Sequence, residues 1–361
     1  MTCWTEWDPL EEVIVGDCFL LEDLNWKLPN KAASNFAVIL EETKEDLNKL
    51  AECLKDLGVK VHRPIPKKNE QDIKISTFDI KYATAPIVPR DQYLVYGNTI
   101  YQTYTSLPDR YIDSLSYYEI FRDLFKQGYN WISQPAPELT NFSEDEDGYF
   151  VTNGEHIYRE KYKDTILWHT ASMAKYGDTL LTNWGPGTEL GLEWMRKNTP
   201  NSKIVVNHNK FGHIDHGFYN INDDTIICSS VGWVPDVLKN KRLISVDKIS
   251  QHGYNQVKDK IQDFRSDFVP TAKLSDKWLD RWMSEWKGYF QDVSYDGNTL
   301  VVDPQNIIYN SYEPKIFKLL DELGVNCHYV PFRHGYFWEA GTHCLTLDIK
   351  RKGNSRKIID L

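Results

Sequence analysis

The feature that most constrains this chain is a unit that recurs: an amphipathic helical run, a turn, then a short apolar run with strand character. ETKEDLNKLAECLKDLG ends at Gly58, the expected left-handed cap, and gives way to VKVHRP, closed by a proline. YEIFRDLFKQG gives way to YNWISQP, TELGLEWMRKNTPNS to KIVVNHN, PDVLKNK to RLISVDK, and EPKIFKLLDELG to VNCHYVPF. Between these five units lie hairpin-like runs, EEVIVGD, DQYLVYGNTIYQ, GFYNINDDTIICS and NTLVVDPQNIIYN, with DTLLTN a weaker candidate. In each, β-branched or aromatic residues flank Gly, Asn or Asp turn chemistry. Modules of hairpin, helix and strand cannot each hide a sheet face alone, so they predict an α/β fold packed around a shared centre. No Gly/Ser-rich linker cuts the chain, and the acidic tract SEDEDG at 143–148 reads as an exposed loop. Residues 1–361 are therefore expected to form a single domain.

Charge and composition remove several function classes. The chain has 42 basic against 52 acidic residues, and its only dense basic run, Lys350 to Lys352, is short, which argues against a nucleic-acid-binding face. No apolar run is long enough to span a bilayer, and MTCWTEWDPLEEVIVGD has neither a cationic start nor an apolar signal core, so a cytoplasmic protein without a membrane partner is expected. The six cysteines are scattered without a CxxC pair and read as reduced thiols. GxGxxG, GxxxxGK[ST] and GxSxG are absent, which leaves nucleotide cofactors and serine hydrolysis without support. Twelve Trp and 21 Tyr suit either a pocket-rich enzyme or an interface protein, and composition does not choose.

Three places carry candidate chemistry. In FRHGYFWEAGTHCLTLDIKRKG the alternation of Leu345, Leu347 and Ile349 predicts a strand that starts at the glycine loop, with Cys344 near its beginning. Cys344 is there either a buried filler or a nucleophile. In NKFGHIDHGFYNIN, His213 and Asp215 stand two apart in a strand-like run, which predicts both side chains on one face: an imidazole to move protons and a carboxylate to bind a cation. The plainer alternative is a polar surface hairpin. A metal site on His213, Asp215 and His216 is disfavoured, because Asp215 and His216 would point to opposite faces of a strand. Asp91 in PRDQYLVYGNTI lies at the mouth of an apolar strand, as a turn residue or a ligand.

EWDPLEEVIVG, PRDQYLVYGNTI, LGLEWMRKN, GHID followed by Phe218, the LVVD run and AGTHCLTLDIKRKG occur in the order found in the glycine amidinotransferase and inosamine-phosphate amidinotransferase family, which the chain resembles over nearly its whole length. The resemblance implies the pentein fold, a five-bladed α/β propeller of ββαβ modules around a pseudo-fivefold axis. It implies Cys344 as nucleophile, His213 as general acid/base, and Asp215 and Asp91 as carboxylates that hold the donor guanidinium. The implied reaction moves an amidino group from arginine or a related guanidine to a primary amine, in a specialised biosynthetic route, through a Cys-bound intermediate and without a metal or organic cofactor. A homodimer is implied as well. The alternatives are a guanidine hydrolase or deiminase of the same fold, and a non-catalytic guanidine-binding relative.

Three positions depart from the family pattern. Where a motif near FDAAD supplies the carboxylate that orients the catalytic histidine, this chain has WHTAS, with His169 in place of the Asp; Glu155 and Asp164 are alternative acids. Where the glycine-using enzymes carry an Arg for the carboxylate of arginine, VGWVP places Gly232. Where the family has paired serines lining the pocket, WMSEW has Ser284 and Glu285, and the added negative charge favours a cationic or polyamine-like group.

Overall fold

The recurring plan gives five three-stranded sheets, four of them with the expected helix, in the computed structural model, which describes residues 2–23, 30–67, 73–74, 77–80, 85–105, 110–139, 162–184, 187–246, 297–338 and 340–360. Strand β1 (Leu10–Val15) is followed by α1 (Asn30–Asp56), which returns the chain to β2 (Lys60–His62), parallel to β1. A small pair follows, β3 (Ile73–Lys74) and β4 (Asp79–Ile80). The next module is complete: a hairpin of β5 (Tyr93–Tyr96) and β6 (Thr99–Gln102), helix α2 (Ser114–Lys126), and β7 (Asn130–Ser133) parallel to β6. The same order gives β8 (Met173–Tyr176), β9 (Thr179–Trp184), α3 (Glu189–Asn198) and β10 (Lys203–Phe211). It recurs in β11 (Phe218–Asn220), β12 (Thr225–Cys228) and β13 (Arg242–Ser245), and in β14 (Leu300–Asp303), β15 (Asn306–Tyr309), α4 (Pro314–Glu322) and β16 (Asn326–Tyr329). After the short helix α5 (Gly335–Trp338), β17 (Thr346–Arg351) pairs antiparallel with β1. The last strand thus supplies the hairpin partner that the first sheet lacks, and the sheet order is β17-β1-β2.

Two local expectations are corrected. EEVIVGD is one strand, not a hairpin, because its antiparallel partner comes from the far end of the chain. PDVLKNK forms only a 3-10 turn, Asp236–Leu238, with Leu238 its single buried residue, and one apolar anchor cannot offset the cost of nucleating a helix.

The helices form for local reasons and cover the sheets. In α2, Tyr117, Phe121 and Leu124 fall on one face and are buried, and the Phe121 ring lies 4.5 Å from that of Tyr93 on the hairpin. Each such side chain contributes about 1.5–3 kcal/mol on burial. Helix α3 is capped by Thr188, whose Oγ1 accepts from the Gly191 N–H at 3.0 Å, and α4 starts with Pro314 behind the capping Glu313. The third strands β7, β13 and β16 contain no fully buried residue, whereas β5, β6, β8 and β12 are buried throughout. Helices and third strands therefore lie outward, and the stretches leading into the first strands lie inward.

A buried ion network joins several modules. Arg90 approaches Glu6 and Asp348 at 3.3 Å each, Lys175 approaches the same two carboxylates at 3.3 Å each, and Arg351 Nε is 2.9 Å from Asp348. Deleting one member of such a network costs about 3–5 kcal/mol, because it strands the opposite charge. Among the described residues, no helix is long and apolar enough to cross a membrane.

Candidate active site

Five stretches, each leading into the first strand of a sheet, converge. Asp91 ends the 3-10 turn Pro89–Asp91 ahead of β5, and His169 precedes the 3-10 turn Thr170–Ser172 ahead of β8. Asp215 lies in the 3-10 turn Ile214–His216 ahead of β11. Asn298 stands two residues before β14, and Cys344 two residues before β17. The strand expected across His213 and Asp215 is not formed. Strand β10 ends at Phe211, Gly212 takes φ +91°, and the chain winds into the tight turn. This turn brings His213, Asp215 and His216 to one pocket with Cys344, each offering a ligating atom within 4.8 Å of the others. The sequence-based objection to a metal on these residues therefore falls. The imidazoles, thiol and carboxylate form a donor set that suits a zinc-like ion.

Cys344 is held tightly. Asn298 Nδ2 donates toward Cys344 Sγ at 2.8 Å and to Asp215 Oδ2 at 3.0 Å, while its Oδ1 accepts from the backbone N–H of Cys344 at 2.9 Å and of Gly341 at 3.1 Å. Gly341 is required here, since a Cβ would stand 2.5 Å from the Asn298 carbonyl oxygen. The thiol lies 3.3 Å from Asp215 Oδ2, and that same oxygen is 2.7 Å from His343 Nδ1. The other ring nitrogen of His343 is 3.4 Å from Glu6, which ties the pocket to the ion network. Arg90 Nε donates to the His343 carbonyl at 3.2 Å and steadies the turn. Burial, and after it the Asp215 and Asp91 carboxylates, push the Cys344 thiol well above its ordinary value. Asp215 is moved the other way: burial would raise it, but His343 outweighs that and holds it ionised. Its Oδ1 is buried and finds no hydrogen-bond partner among the described residues.

The other side of the pocket is more open. His213 is partly exposed, its Nδ1 stands 4.0 Å from Asp91 Oδ1, and its ring centroid lies 6.4 Å from His169 and 5.3 Å from His216. Burial, and then the neighbouring His213, push His169 down to about 3, so its ring is neutral at ordinary pH. Burial likewise lowers His216. Asp91 Oδ2 is ion-paired with Arg110, which also reaches Asp113 at 2.9 Å and donates to the Val88 carbonyl at 3.2 Å.

Of the residues singled out from sequence, Cys344, His213, His169, Asp91 and Asp215 thus meet in one place. Ser284 and Glu285 lie outside the described residues, as does Glu155, and Asp164 is exposed. Gly232 sits in the exposed 3-10 turn Val231–Trp233. Asn298, His343 and Arg110 were missed. For Asn298 a signal existed in the repeat itself, since it occupies the place ahead of a first strand that Asp91 and Cys344 occupy in their own modules.

No family model matches this chain. Whole-length relatives are nevertheless found. Inosamine-phosphate amidinotransferase 1 of Streptomyces griseus is 26% identical, over 96% of this chain and 95% of its own. Mitochondrial glycine amidinotransferase of Xenopus tropicalis is 26% identical, over 97% of this chain and 82% of its own. Among solved structures, the saxitoxin-pathway amidinotransferase of Microseira wollei superposes with a TM-score of 0.70 at 20% identity, covering 99% of both chains. The Streptomyces griseus inosamine-phosphate amidinotransferase gives a TM-score of 0.70 at 23% identity, covering 98% of both. A dimethylarginine dimethylaminohydrolase of Pseudomonas aeruginosa shares the fold more distantly, with a TM-score of 0.54 at 11% identity over 94% of this chain and 99% of its own. With a shared fold and a cysteine at the convergence of the modules, the chain is similar along its whole length to the inosamine-phosphate and glycine amidinotransferases.

Proposed function

We propose that this protein transfers an amidino group from arginine or a related guanidine to a primary amine, with Cys344 as the nucleophile, and that its five three-stranded sheets are the blades of a closed α/β propeller. The observation that carries the reading is the meeting of Cys344 Sγ with His213 and Asp215 where two modules converge, in a chain whose whole-length relatives are amidinotransferases. A guanidinium is planar, permanently charged and rich in donors, and the unpartnered Oδ1 of Asp215 is an acceptor waiting for one. Its arrival also changes the thiol. Burial and the nearby carboxylates hold Cys344 protonated, and the incoming cation offsets the carboxylates, so ionisation is coupled to donor binding.

His213 takes the thiol proton, and the thiolate attacks the guanidinium carbon. A C–S bond forms, the C–N bond to the departing amine breaks, and His213 delivers the proton that this amine needs. The amidino group remains on sulfur. An acceptor amine enters, His213 takes its proton, a new C–N bond forms, and Cys344 leaves as thiolate. Water must be excluded while the intermediate stands, or the product is a urea. Among the described residues, the turn that packs on Gly217 beside the site offers little to a donor carboxylate. Gly232 carries no charge, and beside it Trp233 packs so closely on Gly217 that a Cβ there would meet the Trp233 Cβ at 2.5 Å. Guanidines without a carboxylate are accordingly expected to compete well with arginine.

Intact-protein mass after incubation with a guanidine tests the reading. A gain of one amidino group on Cys344, discharged by an added amine, is expected. Urea formation without an acceptor would make the protein a hydrolase, and no adduct with any guanidine would make it a binding relative.

A further inference from the structure

We propose that Asp91, braced from behind by Arg110 and Asp113, is the carboxylate that orients His213, so that this duty stands at position 91 where the family pattern puts it at 169. The inference rests on the amidinotransferase reading above and assigns positioning roles to three residues. Position 169 supplies no carboxylate, because it carries an imidazole, its ring 6.4 Å from that of His213. Asp91 Oδ1, by contrast, stands 4.0 Å from His213 Nδ1. That approach is longer than a hydrogen bond, and such catalytic contacts commonly tighten when substrate closes the site.

The division of labour between the two oxygens of Asp91 favours this role over a grip on the donor. Oδ2 is already bonded to Arg110 Nη1. Arg110 cannot swing away to release it: the residue is 3% exposed, its Nε is 2.9 Å from Asp113, its Nη2 donates to the Val88 carbonyl at 3.2 Å, and its own carbonyl accepts from Gln92 at 2.9 Å. One oxygen is left. A guanidinium held by a carboxylate in the two-pronged manner needs both, so Asp91 cannot offer that grip. Asp215 too has one oxygen committed, Oδ2 to His343 and Asn298, but its buried Oδ1 finds no partner among the described residues and can take the donor through a single charged hydrogen bond. Burial would raise the Asp91 carboxyl, but Arg110 and His213 outweigh it and hold the group ionised. An ionised Oδ1 facing Nδ1 fixes the tautomer that carries its proton there, which leaves Nε2 to exchange protons with the reacting amines.

Two measurements test this on the full chain. In nitrogen-15 histidine spectra without substrate, wild-type His213 is expected as the Nδ1–H form, and Asp91→Asn should lose that signature. In single turnover with a guanidine that forms the adduct, Asp91→Asn should slow amidino-enzyme formation by about 10³-fold, with the donor concentration at half-saturation changed by less than about threefold. Adding His169→Asp to Asp91→Asn should recover at least about tenfold, which a merely structural loss would not permit. Weakened donor saturation with an unchanged limiting rate would overturn the proposal and return Asp91 to donor binding. So would an unaltered His213 spectrum together with no recovery from His169→Asp. Should Asp91→Asn not fold, Arg110→Lys loosens the same brace and must slow the limiting rate in the same direction. Absence of an adduct in the wild type, with the Nδ1–H signature intact, would sink the transferase reading and leave the pairing standing.

Discussion

Cys344 is 2% exposed and fixed by Asn298, Asp215 and its own turn, whereas His213, with a ring nitrogen within 4.8 Å of the sulfur, keeps about a fifth of its side chain exposed, 23%, and meets its nearest carboxylate only at 4.0 Å. The difference suits the division of work proposed for Cys344 as nucleophile and His213 as base in a two-step transfer. The nucleophile meets the same carbon in both half-reactions and gains from being held still. The base hands a proton to one amine and takes it from another, and a ring with some freedom serves both. The nucleophile side is drawn from three modules locked together, while the base side depends on a tight turn and one braced carboxylate.

The largest expected effect lies on the locked side. Cys344→Ala should abolish the amidino adduct while leaving guanidine binding measurable by calorimetry; an adduct on the Ala variant would mean that the sulfur is not the acceptor. Next comes the amide that locks it. Asn298→Ala leaves the buried N–H groups of Cys344 and Gly341 without their acceptor, at about 1–3 kcal/mol each. It should slow adduct formation by about 10²-fold and lower Tm by several degrees. His169→Gln on the looser side should cost far less than a tenth of that in rate. Equal losses in the two variants would erase the distinction between the two sides.

Asp215→Asn separates thiol ionisation from catalysis. Removing an anion beside the sulfur takes away one of the causes that hold the thiol up, so the thiolate fraction at neutral pH must rise. Iodoacetamide should therefore label Cys344 several-fold faster in the variant, while amidino transfer falls with the loss of the donor's anchor. Slower labelling would indicate that Asp215 serves the sulfur as a base.

The modular plan was legible because it is local. Helix caps, turn glycines and strand alternation are written in adjacent residues, and four of the five helix-to-strand units appear as read. The union of β1 with β17 was not, because a strand near the start of the chain cannot announce a partner more than three hundred residues away. Within the site, residue type and the family resemblance picked out Cys344, His213, Asp215 and Asp91. Their spatial relation was misjudged at His213, where alternation suggested a strand. The left-handed Gly212 instead lets the chain wind so that Asp215 and His216 both face the pocket. Asn298 was hidden by its surroundings, since Gly-Asn-Thr ahead of a strand reads as turn chemistry, and Arg110 by lying in a loop whose charge has no meaning until Asp91 is beside it.

The smallest effect at neutral pH becomes the most telling in acid, and it belongs to His169. Burial and the nearby His213 push this imidazole down to about 3, while in the unfolded chain it titrates near the ordinary histidine value of about 6.5. Between these values the unfolded state binds the proton and the folded state does not, so stability falls as pH is lowered through that window. The slope approaches about 1.4 kcal/mol per pH unit, which amounts to about 2 kcal/mol at pH 5. His169→Gln removes this titration while keeping a polar side chain of similar reach. Urea unfolding of the two proteins at pH 7 and pH 5 should show the variant gaining on the wild type by about that amount at the lower pH. A constant difference between them would mean that His169 is protonated in the folded protein. It would then be a cation beside His213, and the base side would need its carboxylate at position 91 all the more.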